Sequence, residues 1–174
     1  MFFFFKSKWI FRFPNKKKIL IYDGIVSNVF TDYLDEKDFH ILFTRGESVN
    51  ITILLLSFFT RKFEKISFNY YYTYIKYVKP QVIITYVDND LFFYRFKNHF
   101  QDSTTIVVQN GHRGEDFFYS LRNYKKHNPE ADYIFVFSEN YKKLFSKSIK
   151  AKIIVAGSIK NNSVPINKTK RSKS

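Results

Sequence analysis

The chain contains no cysteine among its 174 residues. Disulfide bonds, thiol catalysis and cysteine-ligated zinc or iron–sulfur sites are therefore excluded for this sequence. The four histidines, His40, His99, His112 and His127, are scattered and lack the spacing of metal ligands. We therefore expect neither a bound metal ion nor a cofactor.

Glycine and proline are scarce, with five and four residues, and long apolar runs are absent. No glycine lies in a G-x-G-x-x-G or G-x-x-x-x-G-K-[ST] pattern, so the common phosphate-binding fingerprints are excluded. The apolar stretch at residues 49–59 is about half the length of a membrane-spanning helix, and it predicts a buried helix packed on a sheet. The N-terminus lacks the features of a signal peptide. We expect a cytoplasmic protein, with peripheral contact to the inner membrane as an open alternative.

Acidic residues are absent from both ends of the chain, although its net charge is +14. Residues 1–18 contain six lysines or arginines and residues 168–174 contain four. Such basic ends favour anionic surfaces, either nucleic acid or lipid headgroups. Nucleic acid is the less expected partner, because the aromatic residues fall largely in apolar runs that should be buried. The segment MFFFFKSKWIFRF at residues 1–13 has the composition of a membrane-interface segment.

Short apolar runs alternate with helical patterns along the rest of the chain. Strands are predicted at residues 18–23, 39–43, 82–86, 104–108, 133–137 and 152–155, and helices at 27–34, 50–59, 70–78, 90–99 and 138–145. The strands are continuously apolar, which indicates a parallel sheet covered by helices on both faces. We therefore predict the α/β class, with a Rossmann-like domain at residues 18–160. A basic, aromatic arm (1–17) precedes it, and a basic tail or truncated linker (161–174) follows it.

Polar clusters follow the predicted strands, at the edge where open parallel α/β sheets bind ligands. They are Asp23-Gly24, Asp88-Asn89-Asp90, the segment from Gln109 to Gly114, Ser138-Glu139-Asn140 and Gly157-Ser158. Structural alternatives exist for each, because aspartate, asparagine and serine also form turns and helix caps, and glycine allows a tight exit from a strand. Since all the strands should point the same way, we expect the five clusters to lie along one rim.

The sequence QNGHRG at residues 109–114 carries the most varied chemistry of these clusters. His112 is suited to act as an acid or base near neutral pH. Arg113 offers a planar fork for phosphate or carboxylate, and Gly111 and Gly114 would let backbone N–H groups approach a ligand. The pattern predicts a binding rim without specifying a reaction.

Four segments occur in an order that resembles bacterial surface-carbohydrate biosynthesis proteins. They are KPQVIITYVDNDLFFYRFKNHF, IVVQNGHRG, ADYIFVFSENYKKLF and IIVAGSIKNN. These proteins are similar to glycosyltransferases of the GT-B type and, more distantly, to CDP-glycerol glycerophosphotransferases. The resemblance covers roughly Lys18 to Asn162. It implies the N-terminal, acceptor-side half of a two-domain enzyme, whose second domain holds most contacts to the nucleotide-activated sugar. A chain lacking that domain would be incomplete, and it would be inactive alone if the chemistry needs the second domain; activity of this half by itself stays an open alternative.

Under this resemblance the partners are a carbohydrate acceptor and a nucleotide-activated sugar. His112 is the first candidate for the base that activates the acceptor, followed by Asp88 and Asp23. The expected substrate-binding residues are Gln109, Asn110, Gly111, Arg113, Asn89, Ser138, Gly157 and Ser158. A basic nucleic-acid-binding domain and a noncatalytic domain that contacts a membrane surface remain as alternatives, so enzymatic activity is left open at this point.

Overall fold

A computed structural model describes residues 7–60, 62–63 and 65–163 of the chain. Its strands are β1 (Lys8–Ile10), β2 (Ile19–Tyr22), β3 (Phe39–Leu42), β4 (Ser48–Asn50), β5 (Val82–Thr85), β6 (Thr104–Val108), β7 (Glu130–Val136) and β8 (Lys150–Val155). Six of them form one sheet in the order β3-β2-β5-β6-β7-β8. Every neighbouring pair in that sheet is parallel. The predicted α/β fold with a Rossmann-like parallel sheet is confirmed.

The strand order of the large sheet reverses between β2 and β5. The chain passes from β2 to β3 on one side and then crosses to β5 on the other side of β2. This is the flavodoxin-like order of doubly wound sheets, whose crevice at the reversal is the usual place for a ligand. The fold therefore points to the carboxyl ends of β2 and β5 before any side chain is considered.

Helices cover both faces of the large sheet. They are α1 (Asn28–Thr31), α2 (Ile51–Phe59), α3 (Ile66–Val78), α4 (Glu115–Asn123) and α5 (Glu139–Ser146), with 3₁₀ turns at Phe93–Arg95, Tyr124–His127 and Ile159–Ser163. Successive residues of β2 point to opposite faces. Leu20 and Tyr22 enter the larger apolar cluster, with α3, α4 and α5, whereas Ile21 enters a smaller cluster with Phe30 of α1. The core is thus asymmetric, with most of its aromatic side chains on one face.

One helix prediction is wrong, and one helix of the structure was not predicted. Residues 90–99, predicted as a helix, form turns and the short 3₁₀ segment Phe93–Arg95. Phe93, Tyr94 and Phe96 are all fully buried, and a regular helix would spread these three side chains around its circumference rather than aim them into one core. The helix α4 was not predicted, because the polar start of residues 115–123 concealed its buried pair Phe118 and Leu121.

The helix predicted at residues 50–59 forms as α2, but it is not buried on the sheet. It packs mainly against α3 and beside a small sheet in which β1 and β4 run parallel. Ile53 and Ser57 of α2 are buried, while Leu55, Phe58 and Phe59 are exposed. The prediction failed because α3 already fills the adjoining sheet face with aromatic side chains.

The described part of the predicted N-terminal arm packs on the domain. In the small sheet, Lys8 lies opposite Ser48. The side-chain amide of Asn50 donates from Nδ2 to the carbonyl of Arg12 at 2.7 Å, and the ring of Phe13 stacks on Tyr77 with 4.6 Å between centroids. Residues 1–6 of the arm and 164–174 of the tail lie outside the described residues. Within the described ranges, no helix combines the length and apolar character needed to cross a membrane.

Candidate binding site at the sheet rim

The carboxyl ends of the six parallel strands form one edge of the sheet, here called the rim. Asp23 follows β2, Asp88 follows β5, the segment 109–113 follows β6, Ser138 lies two residues past β7 and Gly157 lies two residues past β8. Because the strands are parallel, their carboxyl ends meet at the same edge. The topology therefore brings the five predicted clusters to one rim.

A cleft of about 400 Å³ opens on the rim at the reversal of strand order. It is lined by Asp23, Thr44, Arg45, Tyr71, Val87, Asn89, Asp90 and Phe92. Other surface cavities exist elsewhere, but this one lies where doubly wound sheets bind their ligands. Its lining combines two carboxylates, a guanidinium, an amide and two aromatic rings.

Asp23 fixes the loop that follows β3 to the end of β2. Its Oδ2 accepts hydrogen bonds from Thr44 Oγ1 at 2.8 Å and from Arg45 Nε at 3.1 Å, and its Oδ1 accepts one from the backbone N–H of Ile25 at 2.9 Å. Asp23 is buried, whereas half of the Arg45 side chain is exposed. The buried carboxylate therefore holds an accessible guanidinium in the lining of the cleft. The turn after β2 also contains two non-glycine residues with positive φ, Asp23 at 69° and Val26 at 55°.

Asp90 is the second carboxylate of the cleft. It accepts hydrogen bonds from the hydroxyl of Tyr22 at 2.7 Å and from the backbone N–H of Phe92 at 2.9 Å. Burial raises the pKa of Asp90, and the charge of Asp23 raises it further, while the two hydrogen bonds and Arg45 oppose the shift. A carboxylate with a raised pKa is a stronger proton acceptor than an ordinary aspartate. Asp90 is thus chemically suited to take a proton.

Asp88 and Arg113 form a buried, bidentate ion pair. Arg113 donates from Nε to Oδ2 at 2.8 Å and from Nη2 to Oδ1 at 2.5 Å, and the backbone N–H of Asn110 donates to Oδ1 at 3.1 Å. Asp88 is fully buried and only 16% of the Arg113 side chain is exposed. Burial would lower the pKa of Arg113, but the hydrogen bond and charge of Asp88 raise it. The pair joins the loop after β5 to the loop after β6.

Gln109 joins β6 to β7 in a similar way. Its side-chain amide donates to the carbonyl of Gly111 at 2.9 Å and accepts from the backbone N–H of Phe137 at 2.9 Å, and the residue is fully buried. The space around the two loop glycines is open. A Cβ on Gly111 would find its nearest neighbour at 3.8 Å, and a Cβ on Gly114 would have none within 4 Å. Neither glycine is required by packing.

His112 lies exposed at the outer part of the rim. Its Nδ1 shares a short hydrogen bond with the hydroxyl of Tyr141, and that hydroxyl also accepts from the backbone N–H of Arg113 at 3.2 Å. Ser138 occupies the N-cap position of α5 without a side-chain capping bond. Gly157 has a φ of 72°, which supports the structural role that glycine has at a tight strand exit.

The structure brings some predicted residues together and leaves others apart. Asp88 contacts Asn110 and Arg113, and Asp23 and Asn89 line the cleft. Ser138, Gly157 and Ser158 follow β7 and β8, further along the rim, and do not line it. No group of three or more histidine, aspartate or glutamate side chains within the described ranges could hold a metal ion.

Sequence reasoning missed four polar groups of the cleft: Thr44, Arg45, Tyr71 and Asp90. Asp90 was grouped with Asp88 and Asn89 but was not chosen as a candidate. Thr44 and Arg45 directly follow the strand predicted at residues 39–43. The rule that polar residues after a strand end are site candidates therefore also predicts these two. Tyr71 carries no such signal, because it reaches the rim from α3 through its bond to the carbonyl of Thr44 at 3.0 Å.

Comparison with known proteins links part of the chain to a described family. Residues 106–174 match a family described as "putative O-antigen biosynthesis protein". No curated protein and no solved structure matches the chain at a significant level. The matched stretch begins in β6 and includes the loop with Gln109, His112 and Arg113, whereas Asp23 and Asp90 precede it. O-antigen is a bacterial surface polysaccharide, so this similarity supports a role for the chain in surface polysaccharide biosynthesis.

Proposed function

We propose that the chain is a glycosyltransferase-like domain of surface polysaccharide biosynthesis, and that its rim binds the carbohydrate acceptor. The observation that carries this proposal is the cleft at the reversal of strand order. It combines the carboxylate of Asp90 with the accessible guanidinium of Arg45, which the buried carboxylate of Asp23 holds in the lining. Sugar hydroxyls both donate and accept hydrogen bonds, so they need acceptors and donors side by side. The rings of Tyr71 and Phe92 add apolar surface for a sugar ring.

Asp90 is the proposed base of the transfer reaction. It would take the proton of an acceptor hydroxyl as that oxygen bonds to the anomeric carbon of the donor sugar and the nucleotide phosphate leaves with the electrons of the broken bond. The raised pKa of Asp90 and its position in the cleft support this role. His112 is the second candidate because it is exposed on the same rim. Asp88 is assigned a positioning role, since its oxygens are buried against Arg113 and Asn110.

Arg45 is proposed to bind a hydroxyl or phosphate group of the acceptor. The bond from Nε to Asp23 leaves the terminal nitrogens of its planar fork for a ligand. As the GT-B resemblance implies, the nucleotide-activated sugar would be held mainly by a second domain facing this rim. The family match over residues 106–174 supports the pathway but not this particular reaction.

Saturation-transfer NMR on the full chain tests the proposal. The probes are O-antigen oligosaccharides and a panel of nucleotide-activated sugars. We expect saturation of the oligosaccharide protons, with affinity reduced by about tenfold in Asp90→Asn and Arg45→Gln, because each change removes a hydrogen bond that involves a charged group. Asp102→Asn is the matched control, because Asp102 is an exposed aspartate just before β6, at the opposite edge of the sheet.

Two results would contradict the proposal. One is the absence of saturation transfer to every oligosaccharide tested. The other is oligosaccharide binding that Asp90→Asn and Arg45→Gln leave unchanged, which would place the carbohydrate outside the cleft. Tight binding of DNA or RNA that falls steeply with salt would instead favour a nucleic-acid-binding domain.

A further inference from the structure

The helix α2 lies at the surface, but its exposed side is apolar and one of its two polar residues is buried. Seven of its nine residues are apolar, and its two polar residues are Thr52 and Ser57. Ser57 is buried, whereas Phe59 is 89% exposed, Leu55 55% and Phe58 52%. A helix that packs on a water-soluble domain normally turns its apolar side inward. The outer side of α2 therefore presents apolar surface without a partner among the described residues.

The N-terminal segment extends this apolar surface. The hydroxyl of Thr52 donates to the carbonyl of Phe11 at 2.5 Å, and Leu55 and Phe59 lie on the same side of α2 as Thr52 because of their i, i+3 and i+7 spacing. Phe11 is 72% exposed and Trp9 of β1 is 46% exposed. We call the exposed side chains of Trp9, Phe11, Leu55, Phe58 and Phe59 the α2 face. Clustered apolar exposure of this kind marks an interaction site.

Positive charge is concentrated in the two segments that build the α2 face. Residues 1–16 contain four lysines or arginines and no acidic residue, and residues 48–79 contain five and one acidic residue. Lys8 and Arg12 are exposed within the same short segment as Trp9 and Phe11. Lys62 follows the end of α2, and Lys76 and Lys79 are exposed at the end of α3. The nearest acidic residue before β4 is Glu47, whose carboxylate accepts from the backbone N–H of Arg45.

We propose that the α2 face binds the surface of a bilayer that contains anionic lipids. Apolar side chains would enter the boundary between headgroups and acyl chains, and the surrounding lysines and arginines would bind the lipid phosphates. An apolar helix side with basic residues around it and a nearby tryptophan is the arrangement that suits interfacial binding. Charge complementarity selects this occupant, because a second copy of the chain would bring the same basic residues against one another.

Trp9 provides a direct readout, since it is the only tryptophan in the chain and belongs to the α2 face. The test uses the full chain with vesicles of phosphatidylcholine that contain about one third phosphatidylglycerol, and with vesicles of phosphatidylcholine alone. We expect the emission of Trp9 to shift to shorter wavelength and to be shielded from acrylamide only with the anionic vesicles. Added salt should weaken binding, because it screens the attraction between the basic residues and the lipids.

The variant Leu55→Gln/Phe59→Gln should lower the vesicle partition constant by about tenfold or more, because it removes two apolar side chains that would be buried in the interface. The matched control is Tyr33→Gln/Tyr119→Gln, which changes two side chains that are 76% and 63% exposed outside the α2 face. It should bind as the wild type does. A second variant, Lys8→Gln/Arg12→Gln, keeps the apolar side chains and should lose the preference for anionic vesicles.

The proposal is overturned if Trp9 emission is the same with and without anionic vesicles. It is also overturned if Leu55→Gln/Phe59→Gln and Lys8→Gln/Arg12→Gln both bind as the wild type does. A concentration-dependent dimer that Leu55→Gln/Phe59→Gln abolishes, in a chain that does not bind vesicles, would assign the α2 face to a second copy. These outcomes do not depend on carbohydrate binding, so they are distinct from a failure of the proposed transfer function.

Discussion

The ion pair between Asp88 and Arg113 predicts a large and asymmetric loss of stability when either partner is replaced. Replacing Arg113 with methionine keeps most of the side-chain volume but leaves the carboxylate of Asp88 fully buried. Of its three hydrogen bonds to Arg113 and Asn110, only the bond from the Asn110 backbone N–H would remain. Breaking a buried pair from one side costs about 3–5 kcal/mol. A domain of this size has a total stability of about 5–15 kcal/mol, so the variant should lose a large part of its free energy of unfolding.

Replacing Asp88 with asparagine should cost less, at about 1–3 kcal/mol. The amide oxygen can still accept from Asn110, and the 16% of the Arg113 side chain that is exposed gives its charge access to water. The double variant Asp88→Asn/Arg113→Met should be more stable than the sum of the single changes predicts, by about 1–3 kcal/mol, because it no longer contains a buried unpaired charge.

Urea unfolding followed by far-UV circular dichroism measures these differences, provided that the slope of the transition stays constant. Arg122→Met is the control, because Arg122 pairs with Glu115 at 3.8 Å on the surface, where the glutamate is 76% exposed. It should change stability by less than about 1 kcal/mol. An Arg113→Met variant within about 0.5 kcal/mol of the wild type, or strict additivity in the double variant, would refute the reasoning.

Three further predictions concern other parts of the chain. Gly24→Ala should destabilise the fold by about 1–3 kcal/mol, because its Cβ would lie 2.4 Å from the ring of Phe43; Gly114→Ala, with no atom within 4 Å, should change the urea midpoint little, and equal effects would contradict the packing argument. Asn69→Ala should cost about 2–3 kcal/mol in the same assay, because the buried Asn69 side chain accepts from the backbone N–H groups of Lys62 and Phe63; a near-neutral result would show that water replaces it. Because burial raises the pKa of Asp90, the folded state keeps that proton to higher pH, and the wild type should lose stability relative to Asp90→Asn as pH rises above about 4; a difference in Tm that does not change between acid and neutral pH would contradict this sign.

The large sheet could be predicted from the sequence because its strands carry a strong local signal. Runs such as VIITY at residues 82–86 are apolar throughout and rich in β-branched residues, which is typical of strands buried on both faces. The convergence of Asp23, Asp88 and His112 at one rim followed from parallel strands alone. Each strand is a local feature, and the common direction of parallel strands then places the groups that follow them at one edge, so local patterns were sufficient.

Features that depend on contacts between distant segments could not be predicted. The apolar run at residues 49–59 has the same pattern whether it is covered by a sheet or left exposed, and only its packing against α3 decides between the two. The strand β1 forms because β4 is available to pair with it, although the two are about 40 residues apart. The prediction of a helix at residues 90–99 failed for the same kind of reason, since the core takes up Phe93, Tyr94 and Phe96 together.

Residue types identified candidates for the site, whereas geometry separates their roles. His112, Asp88 and Asp23 were selected because each can carry charge or a proton. The sequence contains no sign that Asp88 faces Arg113, since the two are 25 residues apart. It also contains no sign that Asp90 is more buried than a typical aspartate in a loop. Burial and pairing are properties of the folded chain, and they determine which carboxylate can exchange a proton with a ligand.

The left-handed turn after β2 limits which residues can stand at position 23. At a φ of 69°, asparagine, aspartate and glycine are accommodated at low cost, whereas other side chains crowd the neighbouring carbonyl. A saturation library screened only for folded protein should therefore favour aspartate and asparagine, because glycine lacks the oxygens that accept from Ile25, Thr44 and Arg45. Asparagine has the same side-chain shape as aspartate and carries no negative charge. Comparing Asp23→Asn with the wild type would therefore measure the effect of the charge without a change in side-chain shape. Position 26 offers the reverse experiment, because glycine in place of Val26 would relax the backbone beside the cleft while leaving every polar group of its lining in place.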